Sequence, residues 1–125
     1  MQIKITIPGR PITKKNSIRA VQSKHRTVLL PSKQFVDYQE RAGYFIRQKH
    51  RKVDVPVNVA CRYYMPTHQR VDLLNLLSAT LDILVHYGVL EDDNSSIVVS
   101  HDGSRVLYDK DNPRVEIEIA EVHEE

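Results

Sequence analysis

The feature that most constrains the fold is a change of period partway along the chain. Over Val55–Met65, Val57, Val59, Cys61 and Tyr63 alternate with their neighbours, the repeat of a strand with one buried face. After the polar connection Pro66-Thr67-His68-Gln69-Arg70, the run beginning at Asp72 repeats every three to four residues and stops at Gly88. The spacing predicts a helix capped by Asp72, running to about Tyr87 and closed by the glycine. On a helical wheel, Asp72, Asn75, Ser78, Asp82 and His86 form one polar stripe, and leucines cover most of the remaining circumference.

Other segments follow the same rules. Gln2–Ile7 puts Ile3, Ile5 and Ile7 on one face and ends at Pro8-Gly9, which predicts a strand. Residues 9–33 hold many bases and no clear period, and read as one long loop. Ser32 caps a helix expected from about Lys33 to His50, with Phe35, Tyr38, Ala42, Phe45 and Ile46 at helical spacing. Glu91-Asp92-Asp93-Asn94 is an acidic turn, and Ser96–Ser100 a short strand. Asp102-Gly103 is a turn, and Arg105–Tyr108 is expected to extend or pair with the strand before it. Arg114–Val122 sets Val115, Ile117 and Ile119 against Glu116, Glu118 and Glu121, a last strand with one wet face. The order β-loop-α-β-α-β-β gives an α/β (α+β) fold: a small mixed sheet with two main helices packed on it, one domain over residues 1–125.

Composition narrows the function classes. With 125 residues, 41% apolar and 27% charged, the chain has the profile of a soluble globular protein. No apolar run approaches a membrane span, and MQIKITIPGR does not read as a secretory signal. One cysteine, Cys61, excludes an internal disulfide or a Cys-based zinc site, and the expected location is cytoplasmic. The net charge of +2 conceals an asymmetry. Residues 1–52 hold thirteen Lys/Arg against Asp37 and Glu40, a net of +11, while residues 53–125 carry −9. Such a split suggests a polyanion-binding part beside an acidic part; mutual attraction of the halves within the fold is the simpler alternative.

Two groups carry possible chemistry. In the basic stretch of about residues 10–33, Lys14, Lys15, Arg19, Lys24 and Arg26 would neutralise phosphates, with Asn16 and Ser17 adding hydrogen bonds, unless the loop is merely solvated. Few aromatics lie among these bases, which speaks against stacking on single strands. His68, Gln69 and Arg70, just before the second helix, are a further phosphate contact. In the acidic part, Asp72 has the simple role of a helix cap and Glu91-Asp92-Asp93 that of a surface turn. If the strand after that turn runs beside the helix start, however, Asp93 meets Asp72. Carboxylates from separate elements are what Mg²⁺, or Mn²⁺ in its place, is bound by.

The order Asp-x-x-Asn-Leu-x-x-Ala-x-x-Asp over Asp72–Asp82, followed by Gly88 and Asp92-Asp93, resembles the RusA-type Holliday-junction resolvases of phages and prophages. Ile5-Thr6-Ile7-Pro8-Gly9-Arg10-Pro11, Lys15-Asn16, Ser32-Lys33 and Met65-Pro66 extend the resemblance over most of the chain. It implies a homodimeric, Mg²⁺-dependent endonuclease that binds four-way or branched DNA in recombination and repair and nicks two opposed strands. The family's helix motif reads Asp-x-Asp-Asn-Leu-x-Lys. Its two aspartates and a later one carry the metal, and its lysine assists. Asp72 matches the first aspartate, Asn75 the asparagine and Asp93 the later aspartate, with Asp92 beside it. Leu74 stands in place of the second aspartate and Ser78 in place of the lysine. Asp92 and Glu91 are the better substitutes for the missing acid; Asp82 lies too far along the helix to share an ion with Asp72. His101 and Asp102 are further candidates, with a turn role favoured for Asp102. The alternative function is a junction- or duplex-binding protein whose cleavage is weakened or lost. In a dimer, part of the leucine surface, Leu74 included, would be interface.

Overall fold

The computed structural model describes residues 1–14, 18–23, 26–46 and 51–123, with the backbone alone for 18–23 and 26–31. The strands are β1 (Gln2–Pro8), β2 (Ile18–Ser23), β3 (Arg26–Pro31), β4 (Val57–Met65), β5 (Val98–Ser100), β6 (Arg105–Tyr108) and β7 (Arg114–Glu121). The helices are α1 (Lys33–Gly43) and α2 (Leu73–His86). Five strands make a mixed sheet in the order β1-β7-β4-β5, with β6 also on β4. β7 pairs antiparallel with both β1 and β4, whereas β5 and β6 run parallel to β4. The fold is the expected small α+β domain with two helices. Among the described residues no helix is long and apolar enough to cross a membrane.

Alternation decides which face each strand buries. Val57, Val59, Cys61 and Tyr63 of β4 and Val115, Ile117 and Ile119 of β7 are all buried, as is Ile7 of β1. They join Phe35, Tyr38 and Ala42 of α1 and Leu76, Leu77, Ala79, Ile83 and Leu84 of α2 in one core. The side chain of Tyr63 reaches across that core to Thr80, with Oη and Oγ1 2.7 Å apart, and the Thr80 hydroxyl also donates to the Leu76 carbonyl at 2.9 Å. Burial pushes the Tyr63 hydroxyl pKa far up and the Cys61 thiol up to about 12, so both stay neutral. The opposite sheet face is polar, and its charges pair. Arg114 contacts Asp109 and Glu116 at 2.9 Å each, lies 3.8 Å over the Tyr64 ring, and Arg62 reaches Glu116 at 3.2 Å.

Two expectations are corrected and a third, left open between two arrangements, is decided. Residues 18–31, read as loop, hold β2 and β3 paired antiparallel from Ile18↔Pro31 to Ser23↔Arg26. The joining residues, Lys24-His25, lack the Gly or Asn that marks a short hairpin turn in sequence. Next, α1 ends at Gly43, well short of His50; residues 47–50 lie outside the described ones. The amides of Phe45 and Ile46 both donate to the Ala42 carbonyl, tightening the last turn. Gly43 permits close approach of Tyr87, since a Cβ there would sit 2.7 Å from that ring, and the Tyr87 hydroxyl donates to the Gln39 carbonyl. Finally, of the two arrangements expected for β6, it extends the edge begun by β5 and does not pair with it. The two occupy successive stretches of one edge of β4, Val57–Asn58 and then Arg62–Met65, so Asp102-Gly103 makes a jog between them.

Candidate functional site

The ends of α2 sit at opposite ends of β4, because the helix runs back along the strand it follows. Ser32 and Asp72 cap α1 and α2 as their sequence positions imply, Ser32 Oγ accepting from the Phe35 amide and Asp72 Oδ1 from the Leu74 amide at 2.9 Å. Asp72 is exposed, and among the described residues its Oδ2 has no hydrogen-bond partner. At the far end Gly88, with φ of 74°, turns the chain out of the helix. Of the polar stripe, Ser78 and His86 are exposed and Asn75 is half-buried. Asp82 is engaged by Lys14 at 3.3 Å, which joins a supporting acid of the expected site to a base of the expected DNA contact. Leu74 is 73% exposed beside Asp72, so this leucine adds nothing to the core.

Asp92 and Asp93 lie at the other end of β4. Leu90 bridges to Val53, the Glu91 amide donates to the Val53 carbonyl, and the Val57 amide donates to the Ile97 carbonyl. These anchors hold the turn at the strand's beginning, whereas Asp72 follows its end. α2 has 14 residues, so the two sites lie about 20 Å apart within one chain. The meeting of Asp93 with Asp72 does not occur in the protomer. Among the described residues no three His, Cys, Asp or Glu side chains gather into a group that could hold an ion.

The acidic turn is built by its own side chains. Asp92 Oδ1 accepts from the Asp93 amide and Oδ2 from Asn94 Nδ2, each at 2.8 Å, while Asn94 Oδ1 accepts from the Ser96 amide. The Asp93 amide is the main reason the Asp92 carboxyl is held below its ordinary pKa. Asp92 therefore shapes the turn, and Asp93 stands exposed on it. At the β5–β6 jog, Asn58 clamps Asp102. Its Oδ1 accepts from the Asp102 amide at 2.7 Å and its Nδ2 donates to the Asp102 carbonyl at 3.0 Å. His101 Nδ1 lies 2.8 Å from the Val59 carbonyl oxygen. Both residues hold the strand edge; Asp102 stands in a turn, but one that joins two stretches of that edge and not the hairpin expected for it.

Around the Asp72 end the surface is hollowed and basic. Arg10, Thr13, Gln34, Gln69 and Arg70 line a cleft of roughly 220 Å³, and a second hollow of roughly 380 Å³ lies between the 67–71 connection and Val106–Tyr108 of β6. The His68 and Tyr108 rings stack there, centroids 3.9 Å apart and planes 24° off parallel. The sequence marked Arg70 and His68 but not Gln34 or Tyr108, which no local pattern ties to them. Lys15, Asn16 and Lys24 lie outside the described residues, and the side chains of Arg19 and Arg26 are likewise not described.

A family model described as endodeoxyribonuclease RusA matches residues 8–120, nearly the whole chain. No curated protein matches it.

Proposed function

The chain belongs to the RusA endodeoxyribonuclease family, and on that premise we propose that it is a Mg²⁺-dependent endonuclease for four-way DNA junctions, working as a homodimer. The family is one of Holliday-junction resolvases that are in general dependent on divalent metal. The observation that carries the reading for this chain is the exposed Asp72 carboxylate at the start of α2, next to the cleft lined by Arg10 and Arg70. The arginines suit phosphate, and the carboxylate suits a hard cation.

One protomer does not fit the metal by itself, since Asp72 and Asp93 stand about 20 Å apart on opposite ends of a 14-residue helix. Ligands of one Mg²⁺ lie about 2 Å from it. In our reading the set is completed across a two-fold axis, Asp72 of one protomer facing Asp93 of its partner, so that a dimer carries two equivalent sites. A bound ion would supply an activated water and neutralise charge at the scissile phosphate. The protein's own part is to hold the strand with Arg10 and Arg70, the adjoining bases taking neighbouring phosphates. Leu74, exposed beside Asp72, is apolar surface suited to the contact between protomers.

The second reading is a junction-binding protein with weakened or lost cleavage. It is favoured by Leu74 and Ser78, both exposed on α2 where the family has an acid and a lysine. A cleavage assay on a synthetic four-way junction with Mg²⁺ or Mn²⁺ separates the two. The endonuclease reading expects wild type to nick and both Asp72→Asn and Asp93→Asn to lose nicking while still binding. Binding without any nicking by wild type favours the second reading.

A further inference from the structure

We propose that the stacked His68 and Tyr108 rings form a platform that receives an unpaired nucleobase at the branch point of the DNA, an inference that rests on the reading of branched DNA as substrate. The argument begins with strand register. Val106 and Tyr108 stand opposite Tyr63 and Met65 in the parallel β4–β6 pair, so their side chains face the same side of the sheet as that buried pair. Tyr63 and Met65 are covered. Val106 and Tyr108 are 39% and 45% exposed on the same face. An apolar and an aromatic side chain on the core side of a sheet, left open at its edge, form a surface with unmet contact.

His68 answers only part of it. Its ring covers one side of Tyr108 with centroids 3.9 Å apart, and His68 is itself exposed, so the stack keeps open ring surface. The hollow beside it, roughly 380 Å³, is at the low end for sites that take small organic groups. Its lining holds Gln69 and Arg70 and no carboxylate. Of the two acids that adjoin the lining in sequence, Asp109 is bound by Arg114 at 2.9 Å and Asp72 caps α2, accepting from the Leu74 amide. A flat π surface, an amide and a guanidinium at the rim, and no anion are the chemistry that recognises a base with its phosphate. Paired bases in an intact duplex cannot reach such a surface; bases freed at a branch point can. The hollow adjoins Arg70 and Val71, immediately before Asp72, so a base seated there brings its strand to the start of α2.

The test uses binding in EDTA, which needs no cleavage, on three probes: a duplex with one unpaired adenine, the same duplex with an abasic bulge, and a four-way junction against linear duplex. The platform requires wild type to bind the adenine bulge about tenfold more tightly than the abasic one, the worth of one base–aromatic stack. Tyr108→Leu should shrink that ratio to near one without changing affinity for linear duplex, and His68→Ala should shrink the ratio as well. Tyr108→Phe, which keeps the ring, should preserve the ratio. No adenine preference in wild type, or a preference untouched by Tyr108→Leu, overturns the platform. A wild type that prefers the adenine bulge but treats junction and linear duplex alike keeps the platform and overturns the junction reading instead.

Discussion

Mixing two dead variants tests the shared-site geometry directly. Asp72→Asn keeps the α2 cap, since asparagine caps helices as well as aspartate does. Asp93→Asn alters an exposed turn whose hydrogen bonds come from Asp92 and Asn94. Both variants should fold and bind DNA. Carboxylates sharing one Mg²⁺ have their carbons within about 6 Å, because each oxygen lies about 2 Å from the ion. The 14 residues of α2 keep these two roughly three times farther apart in one protomer. If each site takes Asp72 from one chain and Asp93 from the other, a heterodimer of the two variants has one site with both losses and one fully intact. Random exchange at equal concentration makes half the dimers mixed, so about a quarter of all sites should be active. The assay is nicking of a junction with four differently labelled arms. Each variant alone should be inert, and the mixture should make single nicks in place of paired opposed cuts. A mixture that stays inert, with heterodimers demonstrated by two different tags, would refute the cross-protomer site.

Other outcomes follow from particular contacts. Leu74→Asp restores the family's second acid on an exposed position and should raise metal-dependent nicking by about tenfold or more if the natural site is ligand-poor; unchanged rates on titrating Mg²⁺ would count against that view. Tyr63→Phe removes the 2.7 Å contact to Thr80, which still donates to Leu76, so urea denaturation should show a loss of only about 1 kcal/mol. A loss above about 3 kcal/mol would mean the pair holds more than one hydrogen bond. Asp109 and Glu116 have carboxyls held below their ordinary pKa values of 3.8 and 4.5, first by hydrogen bonds from Arg114. Depressed carboxyls stabilise the fold above those ordinary values, and the contribution is lost as pH falls beneath them. Arg114→Ala should therefore flatten the acid limb of a stability–pH curve, and an unchanged limb would show that these half-buried pairs contribute nothing there.

What the sequence determined by itself was whatever a few neighbouring residues decide. Ser32 and Asp72 cap their helices because a side-chain oxygen needs only the amides two or three residues on. Gly88 ends α2 because a positive φ favours glycine. The buried faces of β4 and β7 follow from alternation alone. Asp72, with its neighbours Asn75 and Ser78, was legible as a candidate through the family's motif, and so was the loss of an acid at Leu74. Tertiary structure decided the rest, because pairing and direction are set by contacts between distant segments. β6 takes the edge of β4 that the three-residue β5 leaves open. That pairing carries Tyr108 to His68, two residues no local period connects. The backward run of α2 along β4 places Asp72 and Asp93 at opposite ends, although only a helix and a turn part them in sequence. A motif can name the ligands; only the direction of the helix between them shows that one protomer cannot bring them together.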